Sequence, residues 1–147
     1  MTATGHAILG TVIAAKIGNP ALAVPIAIAS HLVMDFVPHW DTATNARKKS
    51  RKRLISDSFI DVSLGFLISL LLLKFLFPQT NVLYAFLIIF SSQAFDWFMA
   101  PYYFFRWKIF KWAYTFQKKF DRELDKPWGI ITQTGVVLFV IIIAIII

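Results

Sequence analysis

Residues 54–77 read LISDSFIDVSLGFLISLLLLKFLF, and Pro78 follows them. This stretch is longer than the roughly 20 predominantly apolar residues that a helix needs to cross a bilayer. Its ionisable residues are Asp57 and Asp61 near the start and Lys74 near the end. Because backbone N–H and C=O groups in lipid must be bonded within the segment, we expect a helix here. The stretch therefore predicts an integral membrane protein.

The rest of the chain has the same character. The hydrophobic fraction is 58% and the mean hydropathy is +0.66, above the roughly 45–50% apolar content of soluble domains. Turn residues, with Pro20 suited to begin a helix, separate the first two apolar segments. We predict an all-α polytopic membrane bundle, a single domain over 1–147 with about five membrane helices. Their expected ranges are 5–17, 21–37, 54–77, 81–100 and 128–147.

One further helix is expected at about 104–122, between the last two membrane segments. Apolar residues recur there at helical spacing and basic residues mark the other side, which is typical of an amphipathic helix in the headgroup region. A helix packed on the protein core is the alternative. The apolar face comprises Phe105, Ile109, Trp112, Phe116 and Phe120, and the basic face Arg106, Lys111, Lys118, Lys119 and Arg122.

Basic residues set the expected orientation. The formal net charge is +7, and 13 of the 15 Lys and Arg residues fall within 47–53 or 106–126. The positive-inside rule places 41–54 and 104–126 in the cytoplasm, with the N-terminus inside and the C-terminus outside a prokaryotic inner (cytoplasmic) membrane. Anionic lipid headgroups explain the basic clusters. Membrane lipids are thus the expected partners, and no nucleic acid is expected; the sequence does not indicate an oligomeric state.

Seven ionisable residues from four segments converge on the same leaflet in this topology. Ionisable groups at membrane depth are costly and tend to be functional, although a single one is often a helix cap or an interhelical hydrogen bond. Asp57 and Asp61 lie one helical turn apart and repel unless they share a cation or a proton. The converging residues, all predicted metal ligands, are His6, His31, Asp35, His39, Asp57, Asp61 and Asp96.

Histidine and aspartate without cysteine make a nitrogen and oxygen ligand set. Such a set suits zinc, with manganese or iron as alternatives, and a metal so bound activates water and polarises phosphoryl oxygens. Beside basic loops, a phosphate-bearing lipid is the expected substrate. The one Glu of the chain, Glu123, lies far from the predicted ligands along the sequence. We therefore predict Asp35 and Asp61 as catalytic residues.

The same residues resemble a known group of proteins. Gly5-His6, then Ser30-His31-x-x-x-Asp35-x-x-Pro38-His39, then paired Asp and a later Asp, is similar to small membrane-bound metal-dependent hydrolases. The His-x-x-x-Asp element is also similar to that of zinc-dependent phospholipase C and its nuclease relatives. The resemblance covers roughly residues 5–100. It implies a membrane-bound, metal-dependent hydrolase.

Two other classes of function stay open at this point. In an ion or proton transporter the same residues would form a path across the membrane, although the outer halves of the predicted helices contain few polar groups. In a non-catalytic membrane scaffold the polar cluster would be structural. Bound metal would separate the hydrolase and transporter hypotheses from the scaffold, and flux in liposomes would separate the first two from each other.

Overall fold

The computed structural model describes residues 1–146, and it is helical throughout that range apart from turns and connecting segments. The predicted all-α class is confirmed. Within these residues the elements are α1 (Ala3–Lys16), α2 (Pro20–Asp35), α3 (Arg51–Phe75), α4 (Val82–Ser92), α5 (Ala94–Phe105), α6 (Lys111–Gln117) and α7 (Trp128–Ile146).

Two of these helices, α3 and α7, are long and apolar enough to cross a membrane. The pair α4 and α5 makes a third candidate span if the two count as one broken crossing, and α2 is a shorter apolar helix. Large apolar side chains point outward from these elements, including Phe59 at 72% and Leu83 at 82% exposure. An apolar exterior of this extent is typical of a surface that contacts membrane or protein.

Side-chain caps fix where the helices begin. The side chain of Ser50 accepts a hydrogen bond from the Arg53 N–H, so α3 begins at Arg51, three residues before the predicted Leu54. Asn19 caps α2, with Pro20 at its first position. These residues satisfy N–H groups that have no partner inside the helix. Capping therefore extends α3 into the basic loop, where hydropathy alone does not predict a helix.

The predicted helix over 81–100 is broken. The axes of α4 and α5 differ by 51°, and Gln93 lies at the break with its N–H bonded to the carbonyl of Phe90. The Gln93 side-chain amide also donates to the carbonyl of Ile89, at 3.3 Å. Apolar residues continue on both sides of the bend, so their periodicity did not reveal it.

The predicted amphipathic helix over 104–122 is much shorter in the structure. Arg106 has φ of 62° and ends α5, and its N–H and that of Trp107 bond back to the carbonyls of Tyr102 and Pro101. These bonds close the helix end with a left-handed residue. A 3₁₀ turn at 108–110 follows, and α6 is confined to Lys111–Gln117.

Helix α1 lies in the middle of the fold, in contact with α2, α3, α4 and α7. Nine of its 14 residues are buried. Small residues allow this close packing: Gly10 faces Ser92 of α4, and Gly65 of α3 faces Thr4 and Ala7. The packing places His6 against the C-terminal half of α2.

Candidate metal centre

Asp35 is the centre of a buried polar cluster at the end of α2. Its side chain is fully buried, with Oδ1 3.1 Å from Nε2 of His6 and Oδ2 3.4 Å from Nε2 of His31. Asp96 of α5 adds a carboxylate oxygen 3.8 Å from the same His31 nitrogen. Ligand atoms around a tetrahedral zinc with bonds of about 2.0–2.2 Å lie roughly 3.3–3.6 Å apart. The spacing of these side-chain atoms is therefore close to that of metal ligands.

The ring of His31 is oriented for coordination. Its Nδ1 lies 2.8 Å from the backbone carbonyl oxygen of Ser92, and since a carbonyl can only accept, Nδ1 carries the proton. In a neutral imidazole this leaves Nε2 with a free lone pair, directed at Asp35. The ring also stacks on that of His6, with centroids 3.8 Å apart.

His39 reaches the cluster by a route other than the helical stripe. Helix α2 ends at Asp35, and His39 lies on an extended segment that pairs with Arg122 and Leu124 through backbone hydrogen bonds. Its Nδ1 is 2.7 Å from the carbonyl oxygen of Val37, so Nδ1 carries the proton and Nε2 is again the unprotonated nitrogen. This nitrogen lies 3.2 Å from Oδ1 of Asp121.

The described residues thus contain two groups with metal-ligand spacing. The first combines His6, His31 and Asp96, and the second combines His39, Asp41 and Asp121. The amino group of Met1 lies between the groups, hydrogen-bonded to Asp35 Oδ1 and 2.6 Å from His39 Nε2.

Asp41 of the second group was not predicted as a ligand from the sequence, and neither were two further members of the cluster, Gln117 and Asp121. The Gln117 amide nitrogen of α6 lies 3.2 Å from His31 Nε2, 3.3 Å from Asp35 Oδ2 and 3.2 Å from Asp96 Oδ1. Asp121 follows that helix, and nothing in its spacing from the other acids indicated a site. Only the folding of α6 against the end of α2 brings these two residues into the cluster.

The electrostatics of Asp121 favour its charged form. Burial disfavours the charge, but the neighbouring His39 ring and Lys118 ammonium outweigh it and lower the pKa of this carboxyl below its ordinary value. The Lys118 ammonium lies 2.6 Å from Asp121 and also bonds Glu123, and these bonds raise the pKa of Lys118 despite its partial burial. Asp121 is therefore an anion beside His39, as a metal ligand must be.

Asp57 and Asp61 lie apart from both groups of ligand atoms. Asp61 accepts hydrogen bonds from the backbone N–H groups of Ala3 and Thr4, at 2.8 and 3.2 Å, and from the Thr4 hydroxyl at 2.7 Å. Asp57 lies 3.6 Å from Arg53 and 3.9 Å from Lys49. Each carboxylate thus has its own donors or cations, which relieves the repulsion that their spacing suggested.

Comparison with protein-family models, with curated proteins and with solved structures finds no match to this chain. The geometry of the cluster brings together six ionisable residues from α1, α2, α5 and the segments after α2 and α6: His6, His31, Asp35, His39, Asp96 and Asp121.

Proposed function

We propose that the protein is a membrane-embedded metal-dependent hydrolase that cleaves a phosphate-bearing lipid. The observation that carries this proposal is the orientation of two buried histidines. His31 and His39 each donate Nδ1–H to a backbone carbonyl and present Nε2 to a carboxylate. This arrangement is usual for histidines that ligate a metal, because the second hydrogen bond fixes both tautomer and ring orientation.

Two cation positions are proposed. His6, His31, Asp35 and Asp96 would hold the first ion, while His39, Asp121 and Asp41 would hold the second. Zinc fits this ligand set best, and manganese or iron fit the same nitrogen and oxygen donors. Asp35 lies between the two positions, since its oxygens approach His6 and His31 and its Oδ1 also binds the Met1 amino group.

The chemistry proposed is phosphoester hydrolysis. A divalent metal in this cluster would lower the pKa of a bound water towards about 7 and stabilise charge on the phosphoryl oxygens. The water oxygen forms a bond to phosphorus, the bond from phosphorus to the ester oxygen breaks, and the proton lost by water ends on the alcohol that leaves. Asp96 is the carboxylate proposed to move this proton, because its side chain is 23% exposed whereas Asp35 is fully buried. Asp61 would support the site by holding the start of α1, on which His6 lies.

The proposed topology has five crossings, with α1 and α2 as short segments supported by the longer helices. The N-terminus and the loops of 41–54 and 104–126 would face the cytoplasm. The cluster lies at the end of α2 next to these basic loops, since Arg122 pairs with His39 and Lys118 pairs with Asp121. A site at this level would meet lipid headgroups.

Metal analysis of the purified full-length protein tests the proposal. Wild type is expected to carry one or two equivalents of metal, and Asp35→Asn should bind metal at least tenfold more weakly, because an amide keeps the shape but loses the charge. Asp125→Asn is the matched control, since Asp125 is exposed and bonded to Asn45 outside the cluster.

Lipid cleavage is measured on the same three proteins in detergent and in liposomes. Wild type and Asp125→Asn should release phosphate or a phosphorylated alcohol from a panel of phospholipids, and Asp35→Asn should not. A wild-type protein that holds no metal and cleaves no lipid would refute the hydrolase. A metal-bound protein that conducts ions across liposomes without cleaving lipid would support the transporter instead.

A further inference from the structure

Two cavities lie next to each other, and the first of them adjoins the polar cluster. The first has a volume of about 270 Å³ and lies between α3, α5 and the loop after His39. Three carboxylates line it, Asp41 and Asp96 of the two proposed metal groups and Asp61 of α3, together with Met1. Most of the remaining wall is apolar and includes Ile55, Phe59, Val62, Trp97, Met99 and Phe104.

The second cavity is a basic cleft of about 840 Å³. Its one acidic wall residue, Glu123, is paired with Lys118, which does not line the cleft. Two of its guanidinium groups lie over aromatic rings, Arg51 on Phe105 at 5.2 Å and Arg106 on Tyr102 at 5.7 Å. The cations that line the cleft are Arg47, Lys48, Lys49, Arg51 and Arg106.

The two cavities share part of their wall. Ala43, Tyr103 and Phe104 line both of them. The Tyr103 hydroxyl is buried and has no hydrogen-bond partner within residues 1–146. Because a buried hydroxyl without a partner is costly, a polar group of a ligand at this junction would satisfy it.

We propose that the apolar cavity and the basic cleft form one binding site for a single anionic lipid. The anionic headgroup would lie among the Arg and Lys side chains of the cleft, and the apolar chain would enter the cavity. The linkage between them would then pass Tyr103 and approach Asp96. The inference rests on the proposed function only in taking this lipid as the substrate.

Size and charge both favour this occupant. Small-molecule sites commonly measure about 300–1,000 Å³, so the cleft can hold a headgroup, while the smaller cavity suits a part of a chain. A free phosphate would also be attracted to the cleft, since the shared chemistry is an anion on Arg and Lys. It would leave the apolar cavity unfilled, and for this reason a lipid is the better ligand.

Native mass spectrometry of the full-length protein in detergent tests the inference, after treatment with a chelator so that no hydrolysis occurs. The probes are phosphatidylglycerol, phosphatidylcholine and inorganic phosphate. Wild type should retain phosphatidylglycerol at least tenfold more strongly than phosphatidylcholine and should retain little phosphate. The variant Arg47→Gln/Arg51→Gln/Arg106→Gln should lose at least tenfold in phosphatidylglycerol binding.

A matched variant controls for total charge. Lys108→Gln/Lys111→Gln/Lys119→Gln removes three exposed cations that do not line either cavity, and it should bind phosphatidylglycerol as wild type does. Equal losses of phosphatidylglycerol binding in the two triple variants would mean that total charge, and not the cleft, determines binding. That result would overturn the inference. Phosphate retained as strongly as the lipid would also overturn it, in favour of a free-anion site.

Two further variants test the apolar part and the junction. Val62→Trp should fill the cavity and weaken phosphatidylglycerol binding about tenfold, whereas Leu83→Trp on the exposed outer surface of α4 should not. Tyr103→Phe should weaken phosphatidylglycerol binding severalfold. Unchanged binding in Val62→Trp would exclude the chain from the cavity and contradict the inference.

The test separates this inference from the proposed function. A wild-type protein that binds phosphatidylglycerol in the predicted manner but holds no metal would refute the hydrolase and leave the lipid site standing. A protein that holds metal and cleaves lipid, yet shows no dependence on the cleft, would refute the lipid site alone.

Discussion

Asp35 is a carboxylate at a position where an unpaired charge would be costly. The carboxylate is fully buried at the C-terminal end of α2, where the helix dipole disfavours an anion. Its neighbours are His6, His31, Gln117 and the Met1 amino group. A buried charge costs several kcal/mol unless it is paired. Cation binding at this residue would therefore stabilise the fold.

Asp61 is expected to contribute to stability through α1. Asp61→Ala removes the acceptor of three hydrogen bonds from Ala3 and Thr4, and loss of such a cap should cost about 1–2 kcal/mol. Asp57→Ala is the control, because its ion pairs are partly exposed and contribute roughly 0–1 kcal/mol. Thermal unfolding in detergent measures the difference, and equal midpoints would contradict the capping role. Metal content of Asp61→Ala tests its predicted role as a ligand.

Sequence spacing predicted only the part of the site that lies on one helix. His31 and Asp35 share a face of α2 because they are four residues apart. The structure places His31 Nε2 3.4 Å from Asp35 Oδ2. His39 and Asp121 meet because a short extended pairing joins the segments after α2 and α6. Such long-range pairing leaves no periodic signal in the sequence, so Asp121 was missed.

At the scale of elements, the contact between α1 and α4 controls the position of His6. A Cβ atom at Gly10 would lie 2.6 Å from Ser92 Oγ and 2.9 Å from Ile89 Cα. Ser92 also hydrogen-bonds the carbonyl of His6 through its hydroxyl, at 2.8 Å, and accepts from His31 through its own carbonyl. Gly10 and Ser92 thus fix the positions of the stacked rings of His6 and His31.

We expect Gly10→Ala to separate α1 from α4. The added methyl group meets backbone atoms of Ile89, and overpacking of this kind typically costs about 1–3 kcal/mol. Gly18→Ala is the matched control, because a Cβ atom there has no neighbour within 4 Å. Gly10→Ala should lower both the unfolding midpoint in detergent and the bound metal, whereas Gly18→Ala should change neither. A Gly10→Ala protein with full metal content would contradict the link between this contact and the site.

Elements that are long and apolar could be predicted, and irregular ones could not. Hydropathy over 54–77 and 128–147 anticipated α3 and α7, which occupy Arg51–Phe75 and Trp128–Ile146. The break at Gln93 and the left-handed Arg106 are local backbone events. Arg106 fits the expected basic face, and the short polar run Ser91-Ser92-Gln93 does not by itself specify a bend, so one continuous helix was predicted in each place.

At the scale of the whole molecule, α3 separates the basic loop from the segment before α4. The chain has no cysteine, so Ser50→Cys and Thr80→Cys each supply one thiol, at the two ends of this helix. We expect a membrane-impermeant maleimide to label Cys at 50 from the cytoplasmic side and Cys at 80 from the opposite side, because Lys and Arg are retained in the cytoplasm. Labelling of both positions from the same side would refute the proposed topology.

The central position of α1 has a consequence for how the protein is made. With 14 residues this helix is about 21 Å long, short of the roughly 30 Å hydrocarbon core of a bilayer. Its neighbours α3, α4 and α7 are all synthesised after it, and the ligand cluster extends from His6 to Asp121. A nascent chain on the ribosome therefore contains α1 before the packing partners of this helix are made. Its ligand cluster is incomplete at that stage. The proposed lipid-cleaving activity would therefore arise only after synthesis has passed Asp121.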